Sequence, residues 1–194
     1  MDRAALRPLF DWGRCQNCMI VTEGWDATAP PPNRCPSCQE SGFGLDWPPE
    51  PSRLLLRQAF LQDADDQEEL AVKAFLVAAA MDVVLEWILG AAVEYLSTES
   101  LDVARLIEPV REASLSAEER LDLLEEVTDI RLRGVAELLG EPDFPRKWKD
   151  LRERRNRFLH TQEMFAFDGL EEVDLAETAR MGVKVLARIN NMVW

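Results

Sequence analysis

Four cysteines, and no others, stand in this chain as two Cys-x-x-Cys pairs, Cys15 with Cys18 and Cys35 with Cys38, separated by a sixteen-residue spacer. That spacing constrains the N-terminal segment more than anything else in the sequence. Each pair sets two sulfurs at the tip of a tight turn, and two such tips complete a tetrahedron of thiolates. Disulfides are the competing use of cysteine. Met1-Asp2-Arg3 leads into no apolar stretch of the kind a secretory leader carries, so a cytoplasmic chain with reduced thiols is expected. Iron can occupy the same four ligands, but zinc is the commoner occupant of such sites. The expectation is one zinc per chain on Cys15, Cys18, Cys35 and Cys38. A closed set of sulfurs leaves no open position for water, so this metal is structural and not catalytic.

Around the cysteines, Met19 to Glu23, the aromatic segment near Trp25 and Phe43 to Trp47 suit short strands. The arrangement resembles a zinc ribbon over roughly residues 10–48. Residues 1–50 carry a net charge of −3, which disfavours indiscriminate phosphate binding and suits a stabilising or protein-docking role. Ala29-Pro30-Pro31-Pro32-Asn33 reads as a loop. Trp47-Pro48-Pro49-Glu50-Pro51 reads as a stiff linker, because consecutive prolines favour extended backbone. The sequence therefore divides into a ribbon with its linker, 1–50, and a second unit, 51–194.

That second unit is patterned as helix throughout. A short helix opens at Pro51-Ser52. Acids from Asp63 to Glu69 stand at the start of a long helix that runs to about Leu96, where they complement its dipole. A short helix is expected from Leu101 to Ile107, stopping near Pro109. Ser116-x-x-Glu119 is a capping box for a helix carrying Leu121, Leu124, Val127, Val135 and Leu138. Pro145 sits in the first turn of a helix to about His160. The last helix spans Glu172 to Met192, with Leu175, Ala179, Val183, Leu186 and Ile189 along one side. The fold class expected is mainly α, a helical bundle with a small N-terminal β ribbon. The apolar run from Phe75 to Val93 is long enough to suggest a membrane span, but Asp82 and Glu86 lie near its middle. Each mid-bilayer acid costs about 2.5–3.5 kcal/mol, so a buried helix and no membrane partner are expected.

Charge narrows the function. The chain has 22 Lys and Arg against 36 Asp and Glu, a net of −14, so a chain that coats nucleic acid indiscriminately is excluded. A DNA-binding regulator built on the acidic ribbon alone suffers from the same repulsion. With one histidine, no HExxH site and no multi-imidazole metal centre can form. Nucleophilic triads are equally poor candidates, since every cysteine is committed to metal and no nucleophile motif surrounds His160. Residues 51–145 hold a net charge of −13, yet residues 146–160 hold +5. An anion would go to that basic island.

The island reads Lys147-Trp148-Lys149-Asp150-Leu151-Arg152-Glu153-Arg154-Arg155-Asn156-Arg157-Phe158-Leu159-His160. On a helical projection Trp148, Leu151, Phe158 and Leu159 share an apolar face with Arg155 at its centre, and Asn156 and His160 lie together on its flank. A cation centred on an apolar face must meet a carboxylate or line a cleft. Asp82 and Glu86 are the available internal partners.

Arg155-Asn156-x-x-x-His160, late in an all-α chain, resembles the R-x₄₋₆-H motif of the HEPN family, and the resemblance extends over roughly residues 52–194. It implies a metal-independent endoribonuclease that acts as a homodimer, two motifs facing one cleft and leaving 2′,3′-cyclic phosphate ends. Single-stranded RNA is the expected substrate, because cyclising attack needs the 2′-oxygen in line with the leaving oxygen, which a rigid duplex does not readily permit. Toxins and defence effectors are the implied biology. His160 would move the proton, Arg155 would stabilise charge on phosphorus, Asn156 would orient imidazole or phosphate, and Arg152 and Arg157 would contact the substrate backbone. The same resemblance also admits a non-enzymatic dimerisation or interaction module. Gln162 stands where one HEPN subfamily has tyrosine, so regulation by modification there is not expected.

Overall fold

The structure is a computed structural model that describes residues 9–23, 34–41, 43–61, 63–64, 66–98, 110 and 115–194. Three short strands come first: β1, Trp12–Cys15; β2, Val21–Glu23; and β3, Phe43–Trp47. Six helices follow among the described residues: α1, Glu50–Ala59; α2, Gln67–Leu96; α3, Ala117–Thr128; α4, Leu132–Leu138; α5, Phe144–Thr161; and α6, Glu172–Val193. A 3-10 turn at Met164–Phe167 joins the last two. The chain is thus a mainly helical bundle with a small N-terminal sheet. The expected strand near Trp25 and helix from Leu101 to Ile107 lie outside the described residues.

β1 is the central strand of the sheet, antiparallel to β2 on one side and β3 on the other. It was not among the expected strands: Trp12-Gly13-Arg14-Cys15 is too short to show alternation. The stretch read as a linker is a buried corner. Trp47 belongs to β3 and is fully buried, Pro48 is buried beside it, and α1 begins at Glu50. Leu9, Trp12, Val21 and Trp47 join the bundle residues in one continuous hydrophobic core.

α2 is the axis of the bundle, packed against α1, α3, α5 and α6. Asp66 caps it, accepting from the Glu69 amide at 2.9 Å, so the run of acids straddles the helix start. It is long and apolar enough to cross a membrane, yet most of its apolar stretch is buried within the protein, as in a core helix. Met81, Leu85, Ile88 and Leu89 of α2 meet Phe144 and Trp148 of α5 and Leu175, Val183, Leu186 and Ile189 of α6 in the core. Phe144 and Trp148 stack at 5.5 Å. Gly182 sits where α6 crosses α2: a Cβ there would lie 2.3 Å from Met81 Sδ and 2.9 Å from Phe144 Cε2.

The capping box at Ser116 and Glu119 is present in both directions. The helix behind it does not run through to Leu138, as its periodicity predicts. It breaks at Asp129, whose φ of 58° is left-handed, and the Thr128 hydroxyl takes over by donating to Leu124 O and accepting from the Ile130 amide. Asp is among the few residues that tolerate this conformation, and an isolated Asp in an amphipathic pattern gives no other sign of a break.

Candidate metal centre and the polar end of α5

The four sulfurs converge. Cys15 Sγ lies 3.7 Å from Cys38 Sγ and Cys18 Sγ lies 3.7 Å from Cys35 Sγ, and all four fall within 4.8 Å of one another. A tetrahedron with metal–sulfur bonds of about 2.3 Å has sulfurs about 3.8 Å apart, so the donor set fits a tetrahedral thiolate ion. None of the four is in a disulfide. Both turns have the same construction. Met19 N donates to Cys15 O at 3.0 Å and Gln39 N to Cys35 O at 2.9 Å, while the Asn17, Cys18 and Ser37 amides point at the first sulfur of their own pair. Met19 and Gln39, each directly after the second cysteine, have φ of 60° and 64°. Amide donors aimed at sulfur favour thiolate.

The thiols are not equivalent. A hydrogen bond from the Glu40 backbone brings Cys38 down to about 7, whereas loss of solvent at Cys18, reinforced by the neighbouring sulfurs, pushes it up to about 12. Four negative sulfurs at this spacing repel one another unless a cation sits among them.

The second candidate site lies at the far end of the basic helix. α5 begins at Phe144 with Pro145 in its first turn and ends at Thr161, where Gln162 adopts a left-handed cap with φ of 58°. Trp148 and Leu151 are buried, Phe158 is half-buried against Phe75 and Phe167, and Arg155 lies between them in the α2–α5 seam. Leu159, expected on the apolar face, is 61% exposed.

Arg155 meets Asp82 at 2.9 Å, Nη1 to Oδ2, with the two side chains 22% and 16% exposed. Burial pushes the Asp82 carboxyl above its usual range, and Arg155 pulls it back only in part. The second carboxylate oxygen has no partner among the described residues. Glu86, the other expected partner, pairs instead with Arg120 at 3.1 Å.

Arg152 departs from expectation. It is only 5% exposed, stacks 4.6 Å over the Trp148 ring and bonds Glu118 at 2.7 Å, so it does not stand at a substrate surface. The cause is its position: on the projection it borders the apolar stripe on the side where α3 packs, so its stem is drawn inward. Arg157, Asn156 and His160 are all exposed, and the last two lie one turn apart on the outer face. His160 has no hydrogen bond or ion pair among the described residues. The structure therefore brings Asn156 and His160 side by side, with Arg155 an angular step away in the seam, and removes Arg152 from the set.

Two functional candidates were not anticipated. Asn190 and Asn191, at the end of α6, bond the backbone just after Cys18. A signal existed: Asn190 continues the Val183–Leu186 stripe, and an amide on an apolar face calls for a specific partner. Compared with known protein families, with curated proteins and with solved structures, the chain matches none.

Proposed function

We propose that the chain is one half of an HEPN-type endoribonuclease that cuts single-stranded RNA as a homodimer, with a structural zinc on its four cysteines. The observation that carries this reading is the polar end of α5. The only imidazole in the chain is exposed there beside Asn156, while Arg155 is held by Asp82 in the adjoining seam. Attack by a ribose 2′-hydroxyl on the neighbouring phosphorus needs a base for the entering oxygen and an acid for the leaving one. A single histidine serves one of these at a time, so a second copy supplies the other. Arg155, anchored through Nη1, keeps further donors for a phosphoryl oxygen, and Asn156 orients the imidazole. Breakage of the P–O5′ bond leaves a 2′,3′-cyclic phosphate. Exposed Arg157 follows the RNA backbone. The sulfur spacing fits a tetrahedral thiolate ion, zinc is the commoner occupant of such sites, and the closed ligand set suits a structural task.

The test is cleavage of a labelled single-stranded RNA in metal-free buffer. His160→Ala should lower the rate by about 10²–10⁴. Arg155→Lys should also fail, because an ammonium lacks the planar fork. Equal cleavage by wild type and His160→Ala would assign the activity to a contaminant. The reading would then pass to a non-enzymatic dimerisation or interaction module, which the closed Arg155–Asp82 pair and the buried Arg152 favour.

A further inference from the structure

We propose that Asn190 and Asn191 are positioning residues for the four-cysteine centre, and that metal loading is in turn expressed as order at the C-terminal end of α6. The inference rests on the centre binding zinc and is independent of the ribonuclease reading.

Among the described residues β2 is an edge strand, with no strand on its outer side. Asn191 takes the place of one. Its Oδ1 accepts from the Val21 amide at 2.7 Å and its Nδ2 donates to Val21 O at 2.7 Å, so one side-chain amide pairs both peptide groups of one residue. Asn190, fully buried, donates from Nδ2 to Met19 O at 2.9 Å. Met19 follows Cys18 directly and has the left-handed φ of 60°. Met19 and Ile20 also close the first cysteine turn, since Met19 N donates to Cys15 O and Ile20 O accepts from Cys15 N, both at 3.0 Å. The backbone from Met19 to Val21 is therefore shared. On one side it sets the position of Cys18 against Cys15, and on the other it is gripped by the last turn of α6.

Two events that fix the same backbone are linked, and the linkage is reciprocal. An ion that draws the four sulfurs together holds Met19 in the conformation Asn190 requires. The asparagine pair, already in place, lowers the ordering cost of bringing Cys18 to the ion. Outer partners that orient metal ligands in this way are commonly worth 10–100-fold in affinity.

The experiment uses the full chain and Zn(II) alone, competed against a chromophoric chelator, with hydrogen exchange followed at residues 187–194. Asn191→Ala should weaken zinc binding on the order of 10-fold. Asn191→Asp should do the same, since it keeps an acceptor for the Val21 amide but turns an anion toward the Val21 carbonyl. Arg133→Ala, at an exposed position on α4, should leave the affinity unchanged. In wild type, zinc should slow exchange at 187–194, and in Asn191→Ala that response should disappear. Exchange at 187–194 that is identical with and without zinc overturns the proposal from wild-type protein alone. Unchanged zinc affinity in a folded Asn191→Ala variant overturns it too. A wild-type chain that takes up no zinc instead overturns the reading of the centre.

Discussion

The four-cysteine centre and the polar end of α5 differ in how much of a site one chain completes. At the first, both turns, the amides aimed at sulfur and the 3.7 Å spacings are all supplied within a single chain. At the second, Asn156, Arg157 and His160 are exposed, the chain has one imidazole, and Arg155 in the adjoining seam is bound to an internal carboxylate. Closed coordination needs only an ion, whereas acid–base chemistry at one imidazole needs a partner. On the proposed reading, completeness within the chain is what distinguishes a structural centre from a half-site.

The largest effect should come from breaking the complete side. Cys35→Ser combined with Cys38→Ser removes two of four ligands, and structural zinc supplies about 10–16 kcal/mol of apparent binding energy in isolated fingers. Because Trp12 and Trp47 lie in the core shared with the bundle, tryptophan emission should shift to the red as the ribbon opens. Retained zinc with unchanged emission would contradict the assignment of those ligands. On the incomplete side, His160→Ala should cost about 10²–10⁴ in cleavage rate while shifting stability by no more than about 0.5 kcal/mol, since the side chain is exposed. Parallel loss of folding, seen by thermal melting, would make His160 structural.

The cysteine turns were legible because spacing alone sets their geometry. The helices were legible where apolar periodicity is long: Leu175, Ala179, Val183, Leu186 and Ile189 are all buried as their spacing requires. A charge at the centre of an apolar face called for a partner and narrowed it to Asp82 or Glu86; the structure pairs Arg155 with Asp82. What stayed hidden depends on a single backbone angle or on tertiary neighbours. The break at Asp129 is one dihedral, the burial of Arg152 depends on where α3 lies, and the corner at Trp47 and Pro48 looks like any proline-rich linker until the ribbon packs on α1.

Two smaller effects, away from both sites, sharpen the comparison by showing what a purely structural change does. Gly182→Ala should destabilise by about 1–3 kcal/mol in denaturant unfolding, because the methyl overlaps Met81 and Phe144 and outweighs the gain in helix propensity. Zinc content should not change. Glu141 clamps α4 to α6 through Lys184 at 2.8 Å and Arg180 at 3.2 Å. Burial pushes its carboxyl up, but these two cations together hold it below the usual range. Its contribution is therefore present above the ordinary carboxylate range and fades as pH falls through the lowered value. Glu141→Gln should cost about 1 kcal/mol at neutral pH, and the gap to wild type should close on acidification. A gap that widens toward acid would reverse the sign of the argument.

The most direct test of the contrast measures RNA cleavage per chain and zinc per chain together, as protein concentration is raised from nanomolar to micromolar, with the dimer fraction followed by sedimentation. The account predicts one zinc per chain at every concentration, and cleavage per chain that rises in step with the dimer. Cleavage per chain that stays constant where the protein is monomeric would contradict it, because the site at His160 would then be complete in one copy.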